Sequence, residues 1–279
     1  MNIGFIGAGK VGVSLGKYLT ERGVHVTGYY SKNPKSAQEA ANFTNTRRYE
    51  KIRYLVEDSD AVFLSVPDGV IAKVWEQLKM LPIENKIFSH FSGSLSSNIF
   101  SDISRYHAYG YSIHPLFAIN DKYNSYKELS HAFFTIEGHE AYLNDFLRLF
   151  QSFGNPVEVI SAENKIRYHA SAAMASNLYV GLVSMCEQML IDCGFTAVNA
   201  HRALAPLIHG NAENIIAYGP KDALTGPVER NDLSTVLDHL GALRAEEKEV
   251  YQVLSRQVVK VACQKHKDRD YKVLEDILK

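Results

Sequence analysis

Ile3-Gly4-Phe5-Ile6-Gly7-Ala8-Gly9-Lys10-Val11-Gly12 is the stretch that decides the fold. Four mostly apolar residues read as a buried strand. The segment Val11–Arg22 behind them carries Val11, Leu15, Tyr18 and Leu19 on one helical face. A GxGxxG hexamer is weak evidence by itself, since it also arises as a plain turn. Between a strand and an amphipathic helix it has the setting of a dinucleotide-binding turn. In that reading Gly7 permits the tight turn and Gly9 lets the backbone approach a pyrophosphate. Gly12 allows helix and strand to pack closely, and Ala8, Lys10 and Val11 complete the cradle at the positive helix terminus.

Outward from the loop, short apolar runs alternate with amphipathic ones. Val24–Tyr30, Ala61–Val66, Lys86–His90, Tyr109–Ile113, Ala132–Ile136 and Pro156–Ile160 read as further strands. Strands separated by helices predict parallel βαβ units and an α/β, Rossmann-type doubly wound sheet. After Ile160 the pattern turns helical: Asn164–Ile191, Ala197–Gly210, Ala212–Tyr218 and Asp232–Arg256, with Gly194 as a C-cap. The expected domains are 1–160, binding NADP, and 161–279, a mostly α-helical part for substrate and dimerisation.

Composition narrows the function classes. The 279 residues hold 30 basic and 31 acidic side chains, a formal charge of −1, with 46% hydrophobic and 22% charged residues. This balance gives no electrostatic reason to bind nucleic acid or an anionic membrane. Cys186, Cys193 and Cys263 form no CxxC pair and read as buried or half-buried free thiols of a reducing compartment. The uncharged run Ala170–Cys186 is too short and polar for a bilayer span and reads as a buried helix. No basic segment leads into an apolar one near Met1, so the expectation is a cytoplasmic protein. There is no HExxH or His/Asp cluster, and no metal is expected.

Which dinucleotide is decided after the second strand. An NAD enzyme usually places Asp or Glu there, about 20 residues on, to hold the ribose hydroxyls. Here the chain reads Tyr30-Ser31-Lys32-Asn33, with no acid. Ser31 and Lys32 suit a 2′-phosphate, Asn33 stands beside them, and NADPH is the expected cofactor. Arg47 and Arg48 are further candidates. Val66-Pro67-Asp68 ends another strand at the expected ligand crevice. His90-Phe91-Ser92-Gly93-Ser94 either faces the nicotinamide or forms an ordinary turn.

Three segments together carry a resemblance: GFIGAGKVG at Gly4–Gly12, YHASAAMASN at Tyr168–Asn177, and ALTGPVERNDLSTVLDHL at Ala223–Leu240. They resemble a family of Rossmann-like NADP-binding oxidoreductases whose second domain long carried an unknown-function label. That family is similar in plan to pyrroline-5-carboxylate reductases and β-hydroxyacid dehydrogenases, and it includes a non-orthologous ketopantoate reductase. The resemblance implies hydride transfer from NADPH to a small carbonyl or imine, 2-dehydropantoate reduced to pantoate first among them. It also implies a homodimer through the helical half. The rivals are reduction of another substrate such as pyrroline-5-carboxylate, and NADPH sensing without turnover.

Ketone reduction needs a proton donor at the oxygen and a grip on any carboxylate. Lys165, His169, Ala172 and Ser176 fall within roughly 60° of one another at ~100° per residue, with Asn177 at the margin. Similar ketopantoate and β-hydroxyacid enzymes place a lysine at the start of this helix as general acid and an asparagine one turn later. Lys165 matches the lysine, while His169 stands in the asparagine's place and competes as proton donor. Ser92, Gly93, His114, Asn177 and Arg230 are the candidate substrate contacts. His114 reads equally as a turn residue before Pro115. Arg230 either clamps a carboxylate or pairs with Asp232, itself read as a helix N-cap.

Overall fold

A computed structural model describes the whole chain, Met1–Lys279, which divides into two compact units, Met1–Ser176 and Asn177–Lys279. The first unit contains β1 (Ile3–Ile6), α1 (Lys10–Glu21), β2 (Val26–Tyr30), α2 (Pro34–Thr44), β3 (Arg47–Arg48), α3 (Ile52–Asp58), β4 (Ala61–Leu64) and α4 (Asp68–Leu78). It continues through β5 (Ile87–His90), β6 (Tyr109–Leu116), β7 (Phe133–Gly138), α5 (Leu143–Ser152), β8 (Val157–Val159) and α6 (Lys165–Ala175).

One sheet of eight strands in the order β3-β2-β1-β4-β5-β6-β7-β8 organises this unit. All neighbours are parallel except β6 and β7, which pair antiparallel from Tyr111↔Gly138 to Leu116↔Phe133. That pair departs from the expected parallel βαβ pattern because the link from β6 to β7 holds only a 3-10 stretch, Ser125–His131, and no crossover α-helix.

Alternation along the strands supplies two faces. Phe5 and Phe63 join Leu15, Tyr18, Phe146 and Phe150 on one side. Ile6, Val62, Leu64 and Phe88 join Leu55, Val74, Trp75 and Leu78 on the other. Successive side chains of a strand point to opposite faces, so continuous apolar strands become buried on both. Each fully buried Phe or Leu contributes roughly 1.5–3 kcal/mol.

The second unit is helical: α7 (Asn177–Asp192), α8 (Ala197–Ala223), α9 (Pro227–Arg230), α10 (Leu233–Ala242), α11 (Ala245–Lys265) and α12 (Lys272–Ile277). Its core gathers Val228, Val236, Leu240, Val259, Leu274 and Leu278. The chain divides at Ser176, later than the boundary near residue 160 read from the sequence. The cause is α6, whose first residue is bonded into the sheet, as described below.

Three other expectations change. The helix expected from Asn164 to Ile191 is two, broken where Ser176 leaves helical geometry at φ −123°, ψ −79°. The run Asp232–Arg256 also divides, at Leu243 and Arg244, where Glu247 turns back to accept from the Arg244 backbone N–H at 2.9 Å. The uncharged run is not a buried helix, because α7 buries none of its residues. No helix is long and apolar enough to cross a membrane. Of the three thiols, Cys186 is half-buried and Cys193 and Cys263 are exposed; the expected C-cap stands at Gly194, with φ 96°.

Candidate active site

The carboxyl ends of β1, β4, β5 and β6 lie side by side; a segment singled out above follows each of the first three, and His114 lies within β6 itself. After β1 the chain turns through Gly7 at φ 108°, where a Cβ would lie 2.4 Å from the Ser65 carbonyl oxygen. A Cβ on Gly12 would lie 2.1 Å from Ser65 Oγ, so helix and strand meet at a distance only glycine allows. At Gly9 a Cβ would meet nothing within 4 Å. Gly9 caps α1 without a side-chain hydrogen bond, and the first turn, which includes Lys10, Val11 and Gly12, holds no acid. Its free N–H groups suit a phosphate.

A cleft of about 380 Å³ opens there, lined by Gly7, Ala8, Gly9, Ser31, Lys32, Val66 and Pro67 among others. These residues fit a dinucleotide: glycine backbone for the pyrophosphate and an exposed cation, with no acid, where the ribose would lie. Asn33 does something else. It caps α2, accepting from Lys35 N and Ser36 N at 3.1 and 3.4 Å. Arg47 pairs with Asp58 at 3.2 Å and Arg48 with Glu50 at 2.9 Å, and neither lines the cleft.

Asp68 is engaged with the loop after β5. It begins α4, and its carboxylate accepts from Ser92 Oγ at 2.6 Å and Ser94 Oγ at 3.4 Å. Ser92 Oγ in turn accepts from Ser94 N and Leu95 N at 3.2 and 3.0 Å. The next anchor is His90, fully buried, whose Nδ1 accepts from Ser92 N at 3.2 Å and whose Nε2 reaches Ser96 O at 3.1 Å. Glu137 on β7 accepts from Ser97 N and Oγ at 2.6 and 2.7 Å. The segment read as a flexible Gly/Ser turn is therefore pinned at both ends.

Lys165 holds the same loop from the other side. Its amine, fully buried, donates to Ser92 O at 2.9 Å and to Ser112 Oγ at 2.7 Å. An ammonium has three donors, and the third meets no protein acceptor. Burial pushes the Lys165 amine down to about 8, against the raising influence of the Glu137 and Asp68 carboxylates. Ser112 and His114 are two apart on β6 and share a face. On α6, Lys165, Tyr168 and His169 stand three and four residues apart and do likewise.

His114 Nδ1 lies 2.7 Å from Tyr168 OH. Its ring is 6.1 Å from that of exposed His169, at 89°. Gly93 sits between: a Cβ there would lie 2.4 Å from His169 Nδ1 and 3.0 Å from His114 Nε2. Burial, the Lys165 charge and His169 push His114 down to about 3. His90 is pushed down to about 4 by burial, opposed by its bond to Ser96. Both rings are neutral at neutral pH.

The structure thus brings Lys165, His169, His114, Ser92 and Gly93 together with Asp68. Asn177 begins α7 and Arg230 ends α9, both in the second unit. Asp232 is the expected N-cap of α10, accepting from Thr235 N at 3.1 Å. Sequence reasoning missed Ser112, Glu137 and Tyr168, and placed His90 in this loop without its anchoring role. The i, i+2 spacing of Ser112 and His114, and of His90 and Ser92, was the available signal.

The buried histidines carry a prediction about stability. Their folded pKa values lie below the ordinary 6.5, so the unfolded chain takes up protons that the folded chain refuses. Stability therefore falls as pH drops below about 6.5, by up to ~1.4 kcal/mol per pH unit per histidine. Urea titrations between pH 6.5 and 5, read by the buried Trp75, should give a slope roughly half as steep in His90→Asn. An unchanged slope would contradict a neutral buried His90.

Residues 2–88 match a family model described as NADP oxidoreductase, coenzyme F420-dependent. Residues 132–258 match a domain of unknown function, DUF2520. No curated protein matches the chain. Among solved structures, protein TM1727 from Thermotoga maritima is 25% identical over 95% of this chain and 99% of its own, with TM-score 0.75. A putative NADP oxidoreductase, BF3122 from Bacteroides fragilis, is 22% identical over 93% and 98%, with TM-score 0.72. A pyrroline-5-carboxylate reductase from Coxiella burnetii is 15% identical over 96% and 97%, with TM-score 0.62. The glycine cradle, the strand order and the match over residues 2–88 make this chain an NADP-dependent oxidoreductase of Rossmann fold.

Proposed function

We propose that the chain reduces a small carbonyl compound at the Gly93 loop, with 2-dehydropantoate as the first candidate and Lys165 as the proton donor. The observation that carries this reading is the buried Lys165 amine, protonated at neutral pH and holding one N–H without a protein acceptor. NADPH, when bound, supplies the hydride. As the substrate carbon gains that electron pair, its oxygen becomes an alkoxide and takes a proton from Lys165 Nζ. The amine, with a value near 8, holds its proton at pH 7 yet releases it readily to an alkoxide. Ser92 O and Ser112 Oγ keep the amine in place throughout.

Gly93 contributes space and an N–H for a substrate oxygen, with His114 and His169 on either side. Reduction of a cyclic imine such as pyrroline-5-carboxylate is the second reading, favoured by the likeness of fold to the Coxiella burnetii enzyme. The 2-dehydropantoate assignment rests on the three resembling segments quoted above.

Ser31 and Lys32 select NADPH in this account. The helical unit leaves apolar side chains of α7 and α8 exposed, Leu178, Val180, Leu207 and Ile216 at 63%, 67%, 61% and 84%, which fits association with a second copy of the chain. Exposed apolar area on that scale marks an association surface.

Purified protein should oxidise NADPH saturably when 2-dehydropantoate is added. A rate only with pyrroline-5-carboxylate would overturn the first substrate in favour of the second; no rate with any carbonyl or imine would overturn the reading. Lys165→Met should cut kcat on the order of 10²–10⁴-fold while leaving NADPH affinity intact. The wild-type rate should fall above pH 8 as Lys165 loses its proton. An equal loss of turnover and NADPH binding would contradict a catalytic lysine. Lys32→Ala should weaken NADPH about tenfold with NADH unchanged; equal weakening of both would remove Lys32 from selection. Sedimentation equilibrium at micromolar concentration should give twice 31.3 kDa, and a monomer would refute the dimer.

A further inference from the structure

We propose that Glu137 is a positioning residue for Lys165: set across the sheet from Ser112, its carboxylate holds the amine in its charged, hydrogen-bonded state and thereby sets the alkaline limit of the reaction. This rests on the reading of Lys165 as proton donor.

Strand register builds the arrangement. His90 on β5 pairs with Ser112 on β6, and Ser112 pairs with Glu137 on β7. Directly paired residues of neighbouring strands share a face of the sheet, so the three form one polar row. Tyr111 and Ile113, which flank Ser112, and Ile136, which precedes Glu137, belong to the apolar layer on the opposite face. His90 and Ser112 are fully buried and Glu137 is 6% exposed. Lys165 reaches the middle of the row, where its Nζ donates to Ser112 Oγ at 2.7 Å. Glu137 therefore stands one strand away from the contact that holds the amine.

Anchoring the loop accounts for the hydrogen bonds of Glu137 but not for its charge. Its carboxylate accepts from Ser97 N at 2.6 Å and from Ser97 Oγ at 2.7 Å, so both oxygens are taken by neutral donors and neither by a cation. A carboxylate almost never lies this deep without a positive partner. Lys165 is that partner at one remove. Burial is the largest influence on the amine and disfavours its charge; Glu137 is the largest that favours it. The other groups facing Lys165 act less. Asp68 from α4 also favours the charge, but it is exposed and water screens it. His90 from β5 and His114 from β6 are neutral, pushed down by burial. Tyr168 from α6 offers the amine the face of its ring, with the centroid 5.7 Å away.

The direct test is the titration of Lys165 in Glu137→Gln, which keeps an acceptor for Ser97 and removes the charge. An opposite charge nearby shifts a titration by roughly one pH unit, and the Lys165 midpoint should fall by that amount in heteronuclear NMR of the full-length protein. In the reductase assay the alkaline limb of kcat should move with it, costing about fivefold at pH 8 and almost nothing at pH 6, with NADPH affinity unchanged. A residue that merely stiffens the loop would lower kcat equally at both pH values; that result, with an unmoved midpoint, would overturn the proposal. Ser97→Ala, which loosens the loop and keeps the carboxylate, should leave the midpoint near that of the wild type. A shift there as large as in Glu137→Gln would also overturn it. If Glu137→Gln fails to fold, the wild type decides: the carboxyl carbon of Glu137 should show a step at the Lys165 midpoint, because coupling between two charges is mutual, and a flat response would count against the proposal. Absence of reductase activity in the wild type would instead refute the reading of the site, while the NMR titrations would still judge the coupling.

Discussion

One buried ammonium ties the first unit together. Lys165 enters from the start of α6 and spends two donors on the Ser92 carbonyl and the Ser112 hydroxyl, one from the loop after β5 and one from β6. Removing a charge from water is costly unless hydrogen bonds and counter-charges repay it. Here Glu137 and Asp68 supply the counter-charge and still leave the amine well below its ordinary range. The residue that fastens helix to sheet thereby holds its proton more loosely than an ordinary lysine. Structural role and chemical readiness have the same cause.

The loop it holds is short and unusually well anchored. Asp68, His90 and Glu137 each fix a different point between Ser92 and Ser97, from three different elements. None of these anchors needs to touch a substrate to matter. Donors aimed before a substrate arrives cost no reorganisation during reaction, so a stiff loop stabilises developing charge better than a mobile one. Glycine at position 93 keeps the space between the two imidazoles free, and the neighbouring serines keep the backbone from collapsing into it.

Much of this was legible in the residues. The Gly7–Gly12 loop, the apolar strands around it and the change to helix after Ile160 follow from local periodicity, which short parallel strands express strongly. The NADP preference follows from the absence of an acid after Tyr30. The antiparallel β6–β7 pair was not legible, because strand direction depends on a connection with no helical signature. The bond of Asp68 to Ser92 was not legible for a related reason: its position after a strand is local information, whereas that bond joins residues 24 apart. Tyr168 was hidden among alanines and serines, and only the approach of β6 gives it a partner. Ala170–Cys186 looked buried because it lacks charge, yet exposed apolar helices carry the same pattern.

The claim on which the account depends is that Lys165 is a protonated, buried amine poised near neutrality. Titration of its ε-amine by heteronuclear NMR, with the signal assigned through Lys165→Met, tests this directly. The account predicts a midpoint near 8, well below an ordinary lysine. A midpoint at the ordinary value of about 10.4 would show an amine that holds its proton too firmly for the part given to it, and would contradict the account.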